Sequence, residues 1–146
     1  MSNMCTEMTE KEAVDFFSKM YPERILGKSI GLVGSLGAGK THLVKSILNR
    51  FSSRFGSRIS SPTYNLCNVY TGSKVTVYHF DLYRIGSEDE LYDIGIWESM
   101  GNINSLTFIE WVDLYPKLEE WCDLVVKIDN SDDAVRKYRI YVQGDG

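Results

Sequence analysis

Eight consecutive residues, Gly34-Ser35-Leu36-Gly37-Ala38-Gly39-Lys40-Thr41, carry the clearest chemical signal in the chain. Glycines at such a loop let the backbone curl until several N–H groups converge on one anion, a path that Cβ atoms would obstruct. A lysine and a hydroxyl follow at once. In that order Lys40 reaches the β- and γ-phosphates of a nucleotide as a point charge and Thr41 offers its hydroxyl to Mg²⁺, while a helix starting there adds its partial positive charge. The spacing therefore predicts a phosphate-binding loop for ATP, with Gly34, Leu36, Gly37, Ala38, Gly39, Lys40, Thr41 and His42 around the phosphates.

A nucleotide–Mg²⁺ site also needs carboxylates, usually delivered by the ends of neighbouring strands. Asp81 ends the run Val75-Thr76-Val77-Tyr78-His79-Phe80, and Glu110 ends Leu106-Thr107-Phe108-Ile109. With Lys40 they are the catalytic candidates, the two acids dividing metal ligation from orientation of an attacking water. Ser60-Ser61-Pro62-Thr63 falls in the loop after the phosphate-binding helix, where a switch hydroxyl from Thr63 would sit; a proline-led strand entry accounts for the same residues. His42 and His79 form no ligand cluster, so His79 reads as a hydrogen-bonded strand histidine, and the three tryptophans read as packing.

These groups need a frame. Thr9-Glu10-Lys11-Glu12 is a capping box that opens a helix to roughly Met20. Ile30-Gly31-Leu32-Val33 has the continuous apolar character of a strand covered on both faces, and Leu43, Val44, Ile47, Leu48 and Phe51 make one stripe of a helix beginning at Lys40. Strand, glycine loop and helix thus follow in the required order. Residues 63–70 and 75–82 read as strands joined through Thr71-Gly72-Ser73-Lys74, a turn so short that they must pair antiparallel. A second capping box, Ser87-Glu88-Asp89-Glu90, predicts a helix to about Ser99, and residues 106–111 predict a buried strand. Residues 124–128 and 138–142 suggest a closing hairpin. The expectation is one α/β domain over residues 1–146, P-loop NTPase-like, with a mixed β-sheet and helices on both faces.

Composition narrows the function classes. Hydrophobic residues are 43% and charged residues 25% of the 146, as in globular proteins, and no apolar run approaches the length of a membrane span. The N-terminus has no basic stretch leading into an apolar core, so a cytoplasmic protein without membrane contact is expected. Cys5, Cys67 and Cys122 are widely separated and point to reduced thiols. A net charge of −4 argues against a dedicated nucleic-acid binder, although Lys45, Arg50, Arg54 and Arg58 form a local basic run.

Taken together, the glycine loop, Ser61-Pro62-Thr63-Tyr64, His79-Phe80-Asp81-Leu82-Tyr83-Arg84 and Ile109-Glu110-Trp111 resemble TsaE, the bacterial ATPase family required for threonylcarbamoyladenosine modification of tRNA. The likeness runs from the first helix to about Ile128, and its His-Phe-Asp-Leu-Tyr-Arg segment is more specific than any phosphate loop. The resemblance implies an ATP hydrolase that binds the TsaB–TsaD heterodimer, in which TsaD carries out the transfer to adenosine; the transfer chemistry is then not in this chain, and whether tRNA contact is direct or indirect stays open. It implies that Thr41, Asp81 and Glu110 serve the metal, Lys40 the phosphates and Thr63 the switch, with Thr9 and Arg136 near the adenine and phosphates. Two positions depart from the family pattern: Ser35 stands where an Asp is usual, and His42 where Thr or Ser is usual.

Two other functions fit the same loop. A small-molecule kinase of the P-loop class would need an arginine-bearing lid, for which Arg50, Arg54 and Arg58 are the available residues. A partner-binding module gated by ATP, with incidental hydrolysis, would use the same residues for conformation rather than turnover. A GTPase is disfavoured, because no Asn-Lys-x-Asp segment for guanine is present.

Overall fold

Local chemistry accounts for most of the architecture in the computed structural model, which describes residues 6–52, 66–72, 74–131 and 135–143. The first elements are β1 (Glu7–Met8), α1 (Glu10–Ser18), β2 (Ser29–Val33), α2 (Lys40–Phe51), β3 (Cys67–Thr71) and β4 (Thr76–Asp81). After them come α3 (Glu88–Asp93), α4 (Ile96–Met100), β5 (Ser105–Glu110), a 3-10 turn at Val112–Leu114, α5 (Pro116–Trp121), β6 (Leu124–Asp129) and β7 (Lys137–Val142).

All these strands join one sheet in the order β1-β7-β6-β2-β5-β4-β3. β2 runs parallel to β5 and β6, and β4 parallel to β5, whereas β3 with β4, β6 with β7 and β1 with β7 are antiparallel. The sheet is mixed, as the short turn after β3 requires.

Alternation along each strand sends successive side chains to opposite faces, and each face has its own core. Ile30, Leu32, Val77, Phe108 and Val126 meet Val14 and Phe17 of α1 and Leu43, Val44 and Ile47 of α2. On the other face Phe80, Ile109 and Val125 meet Leu91, Ile96 and Leu118 from α3, α4 and α5. Each fully buried aliphatic side chain contributes about 1.5–3 kcal/mol relative to exposure, so α2 is anchored to the sheet by its apolar stripe. Gly31 sits where a Cβ would lie 2.6 Å from Val112 Cγ1, which is why the strand beneath the 3-10 turn has no side chain there.

Several expectations are corrected. The capping box at Thr9 forms in full, but α1 stops at Ser18 rather than near Met20. The second box does not form: Ser87 makes no side-chain cap bond, and Glu90 Oε1 instead accepts from the Gly86 amide at 3.0 Å. The helix expected to run to Ser99 breaks in two, because Gly95 takes φ +76° and restarts the chain as α4. β1, the 3-10 turn and α5 had no clear pattern in the sequence. Arg50 of the basic run is committed to Asp15 at 2.5 Å, whose pKa this pairing lowers, while Arg54, Arg58 and residues 60–63 lie outside the described residues. Cys67 and Cys122 are free thiols. Among the described residues, no helix is long and apolar enough to cross a membrane.

Candidate functional site

The glycine loop leaves the end of β2 and enters α2 through Gly39, whose φ of +101° is the left-handed conformation an L side chain resists. As N-cap of α2, Gly39 provides no side-chain acceptor, so the first-turn amides keep their capacity to bind an anion. Gly37 also has positive φ, +81°, and faces open space: a Cβ there would meet nothing within 4 Å.

Lys40 is only 5% exposed. Its Nζ donates to the carbonyls of Gly34 at 2.7 Å and Ser35 at 3.0 Å and lies 3.9 Å from the centroid of the Trp111 ring. Burial lowers its pKa, against the raising influence of Glu110, Asp113 and Asp81. Next to it, the Thr41 hydroxyl donates to Glu110 Oε2 at 2.7 Å, joining the start of α2 to the end of β5.

The two predicted carboxylates are brought side by side by register. β4 and β5 pair in parallel with Asp81 opposite Glu110, and β2 pairs Leu32 with Glu110, so three strand ends stop at one level. Glu110 is 3% exposed. Asp81 is half-buried; that burial raises its pKa, the Tyr83 amide donating to Oδ1 at 3.0 Å opposes the shift, and the charge of Glu110 adds to it. Gly37, Lys40, Thr41, His42, Asp81 and Glu110 line one open cleft of about 270 Å³. Among the described residues, no three His, Cys, Asp or Glu side chains form a ready metal cage. The donor set of Thr41, Asp81 and Glu110 instead offers oxygen from a few protein groups, which suits a cation that keeps water and phosphate ligands.

The remaining candidates are spread around this cleft. Leu36 is 71% exposed at the tip of the loop, whereas the Ala38 side chain is fully buried and its amide donates to the Ser35 carbonyl at 3.0 Å. Gly34 packs closely, a Cβ there lying 3.0 Å from that of Ala38. Arg136 lays its guanidinium beside Gly39, 3.4 Å from where a Cβ would be. His42 Nδ1 is 2.7 Å from Glu10 Oε2, whereas Thr9, one residue earlier, uses its hydroxyl to accept the Glu12 amide and does not line the cleft. Thr63 lies outside the described residues. Ser35 donates to Asn130 Oδ1 at 2.9 Å.

A family model described as Threonylcarbamoyl adenosine biosynthesis protein TsaE matches residues 5–138. The chain belongs to the TsaE family. TsaE of Rickettsia prowazekii (strain Madrid E), named as a tRNA threonylcarbamoyladenosine biosynthesis protein, is 34% identical over 112 residues, covering 76% of this chain and 76% of the relative. TsaE of Haemophilus influenzae is 34% identical over 124 residues, 85% of this chain and 75% of the relative. The crystal structure of Bacillus subtilis YdiB shares the fold, with a TM-score of 0.61 at 23% identity, over 98% of this chain and 90% of that one. Membership ties this TsaE-family chain to tRNA threonylcarbamoyladenosine biosynthesis.

Two side chains at the cleft have contacts that the sequence alone does not reveal. Trp111 reads as packing and does pack against the core, and in addition it takes φ +63° immediately after Glu110, with its ring under Lys40 and 4.7 Å from the Tyr83 ring. His79 reads as a hydrogen-bonded strand histidine and is one, but the sequence does not name its partner: Nε2 lies 2.5 Å from Glu110 Oε2. The available signal was strand alternation, which puts His79 on the same face as Asp81.

Proposed function

We propose that this chain binds Mg²⁺–ATP in the cleft between the glycine loop and the ends of β4 and β5, and hydrolyses it to sustain the turnover of a TsaB–TsaD complex. One observation carries the reading: Lys40, Thr41, Asp81 and Glu110 converge on the uncapped start of α2. Lys40 and the first-turn amides of α2 would hold the phosphates, with Gly37 and Gly39 leaving room for their approach. Thr41, Glu110 and Asp81 would hold the metal or its water ligands. Bound Mg²⁺ supplies charge neutralisation at the β- and γ-phosphates. Glu110, held by Thr41, would also orient a water, and Arg136 would add positive charge beside Gly39. In this reading Trp111 keeps the Lys40 ammonium near the loop through its ring face.

In this reading the transfer to adenosine belongs to the partner, and the setting is the cytoplasm. The kinase alternative would use an arginine lid, and Arg50 is already paired with Asp15. The test is reconstitution: with TsaB, TsaD, ATP, tRNA and threonylcarbamoyl-adenylate, adding this chain should convert a single round of modification into repeated rounds. Calorimetry of the chain alone should find Mg²⁺-dependent ATP affinity. Repeated rounds in its absence, or no ATP binding, would refute the proposal.

A further inference from the structure

His79 has no role in the reading above, yet it is fully buried beside the cleft. It stands on β4 two residues before Asp81, on the same face. Glu110 Oε2 receives two contacts, from the Thr41 hydroxyl at 2.7 Å and from His79 Nε2 at 2.5 Å. An ionised carboxylate only accepts, so Nε2 carries the proton and donates. The other nitrogen, Nδ1, faces the Tyr70 hydroxyl at 3.4 Å, and Tyr70 in turn accepts from Asn68 Nδ2 at 3.2 Å. The result is a chain of hydrogen bonds leading from β3 through His79 to Glu110 and on to the first turn of α2.

We propose that His79 is a positioning residue for the metal site: by donating to Oε2 it fixes the orientation of the Glu110 carboxylate and leaves Oε1 for the metal or its water. The assignment rests on the Mg²⁺–ATP reading of the cleft and adds to it the residue that orients the acid. The physical case is the one that applies around bound metals generally. A carboxylate ligand held by a second donor is set in direction before the metal arrives, and loss of that donor costs affinity or activity although the ligand itself remains. Thr41 alone is a poor guide for this purpose, because its hydroxyl is itself expected at the metal. His79 is the donor to Glu110 that does not have to move.

Two substitutions separate this role from packing. The amide nitrogen of Gln reaches the position of imidazole Nε2, whereas that of Asn reaches only the position of Nδ1. Both are polar and neither exceeds the space of the ring. Affinity for a slowly hydrolysed ATP analogue is measured by calorimetry with Mg²⁺ and with EDTA, alongside ATP turnover with TsaB–TsaD and thermal melting. His79→Asn should lose about 10–100-fold in the Mg²⁺-dependent part of the affinity and in turnover, with affinity in EDTA unchanged. His79→Gln should restore both to within a few-fold of wild type. Equal losses in the two variants, in EDTA as much as in Mg²⁺, would assign His79 to packing and overturn the proposal. So would wild-type behaviour of His79→Asn. If wild-type protein shows no Mg²⁺-dependent affinity, the reading of the cleft fails and takes this assignment with it; if wild type shows it and His79→Asn keeps it, only the assignment fails.

Discussion

Replacing Glu110 by Gln should abolish most ATP turnover while leaving the fold and most nucleotide affinity in place. The size of each effect follows from what Glu110 touches. Its Oε2 accepts from Thr41 Oγ1 and His79 Nε2, and an amide oxygen in the same place can keep both bonds. Each changes from a charge-assisted to a neutral hydrogen bond, a loss of about 1 kcal/mol apiece. That loss is offset in part because a 3% exposed carboxylate no longer has to be desolvated. The net change in stability should therefore stay within about 2 kcal/mol. In the proposed mechanism turnover would depend on the charge itself, since a carboxylate near a bound metal matters most as charge shifts in the transition state. Removing such a preorganised electrostatic group costs about 100–1,000-fold in kcat, or roughly 3–4 kcal/mol. The assay pairs ATP turnover with TsaB–TsaD present against calorimetric ATP affinity, in one buffer, with a melting curve to check the fold. Wild-type turnover in a folded Glu110→Gln variant would remove this residue from the mechanism. An equal loss of turnover and affinity would make it a binding group only.

Lys40→Met should lose ATP affinity by an amount calorimetry resolves as at least about 10-fold, yet remain folded, because the substitution removes a buried cation and keeps much of its apolar stem; unchanged affinity would refute the phosphate-loop assignment. Gly31→Ala should destabilise the protein by about 1–3 kcal/mol in urea unfolding, since its Cβ would sit 2.6 Å from Val112 Cγ1; a neutral result would mean that the 3-10 turn yields freely. Asp81→Asn should raise the melting temperature at pH 7 in metal-free buffer while lowering turnover. Burial raises the folded-state pKa of Asp81, so the charged form costs stability; the cost appears as pH climbs above the ordinary carboxylate value of 3.8, is complete above the raised value and is absent below 3.8. The gain from Asn should accordingly vanish in acid, and a pH-independent gain would contradict the cause given.

How much of this was legible in the sequence depended on whether the information was local. The glycine loop is contiguous, and its residues carry their own conformational instructions, so both its place and its neighbours β2 and α2 follow from residues 30–51. Asp81 and Glu110 were legible as strand-end acids, because an apolar run that stops on a carboxylate marks a strand leaving the core. His79 was not legible in its role. Its contact to Glu110 spans 31 residues and the Thr41 contact spans 69, so it exists only once β4, β5 and α2 have taken their register. The broken helix after Ser87 shows the opposite failure, in which a good local signal was overridden. Ser87-Glu88-Asp89-Glu90 has the residues of a capping box, but the Glu90 carboxylate is used by Gly86, and Gly95 offers a left-handed exit that the apolar stripe of Ile96 then exploits. β1 has only two residues and is defined by its partner β7 rather than by any pattern of its own.

The register that levels the strand ends also explains why the site is both largely buried and open to a cleft. On the α1 and α2 face, the rows that hold Val77 and Phe108 continue along β4 and β5 into His79, Asp81 and Glu110. The polar groups are therefore the last turn of an apolar face, where one side is core and the other is cleft. An isolated charge in that position would be costly. Here Glu110 is held by two donors and Lys40 by two carbonyls and a ring, so each has partners within the protein. The same bonds fix the side chains toward one point, at the mouth of α2. A preorganised site at the carboxyl ends of parallel strands, next to a helix start, follows from the pairing of β2, β4 and β5 and from the absence of a side chain at Gly39. The chemistry proposed for the chain is thus a consequence of where the sheet stops, and a change that shifted the β4–β5 register by one residue would turn Asp81 and His79 to the opposite face and dismantle it.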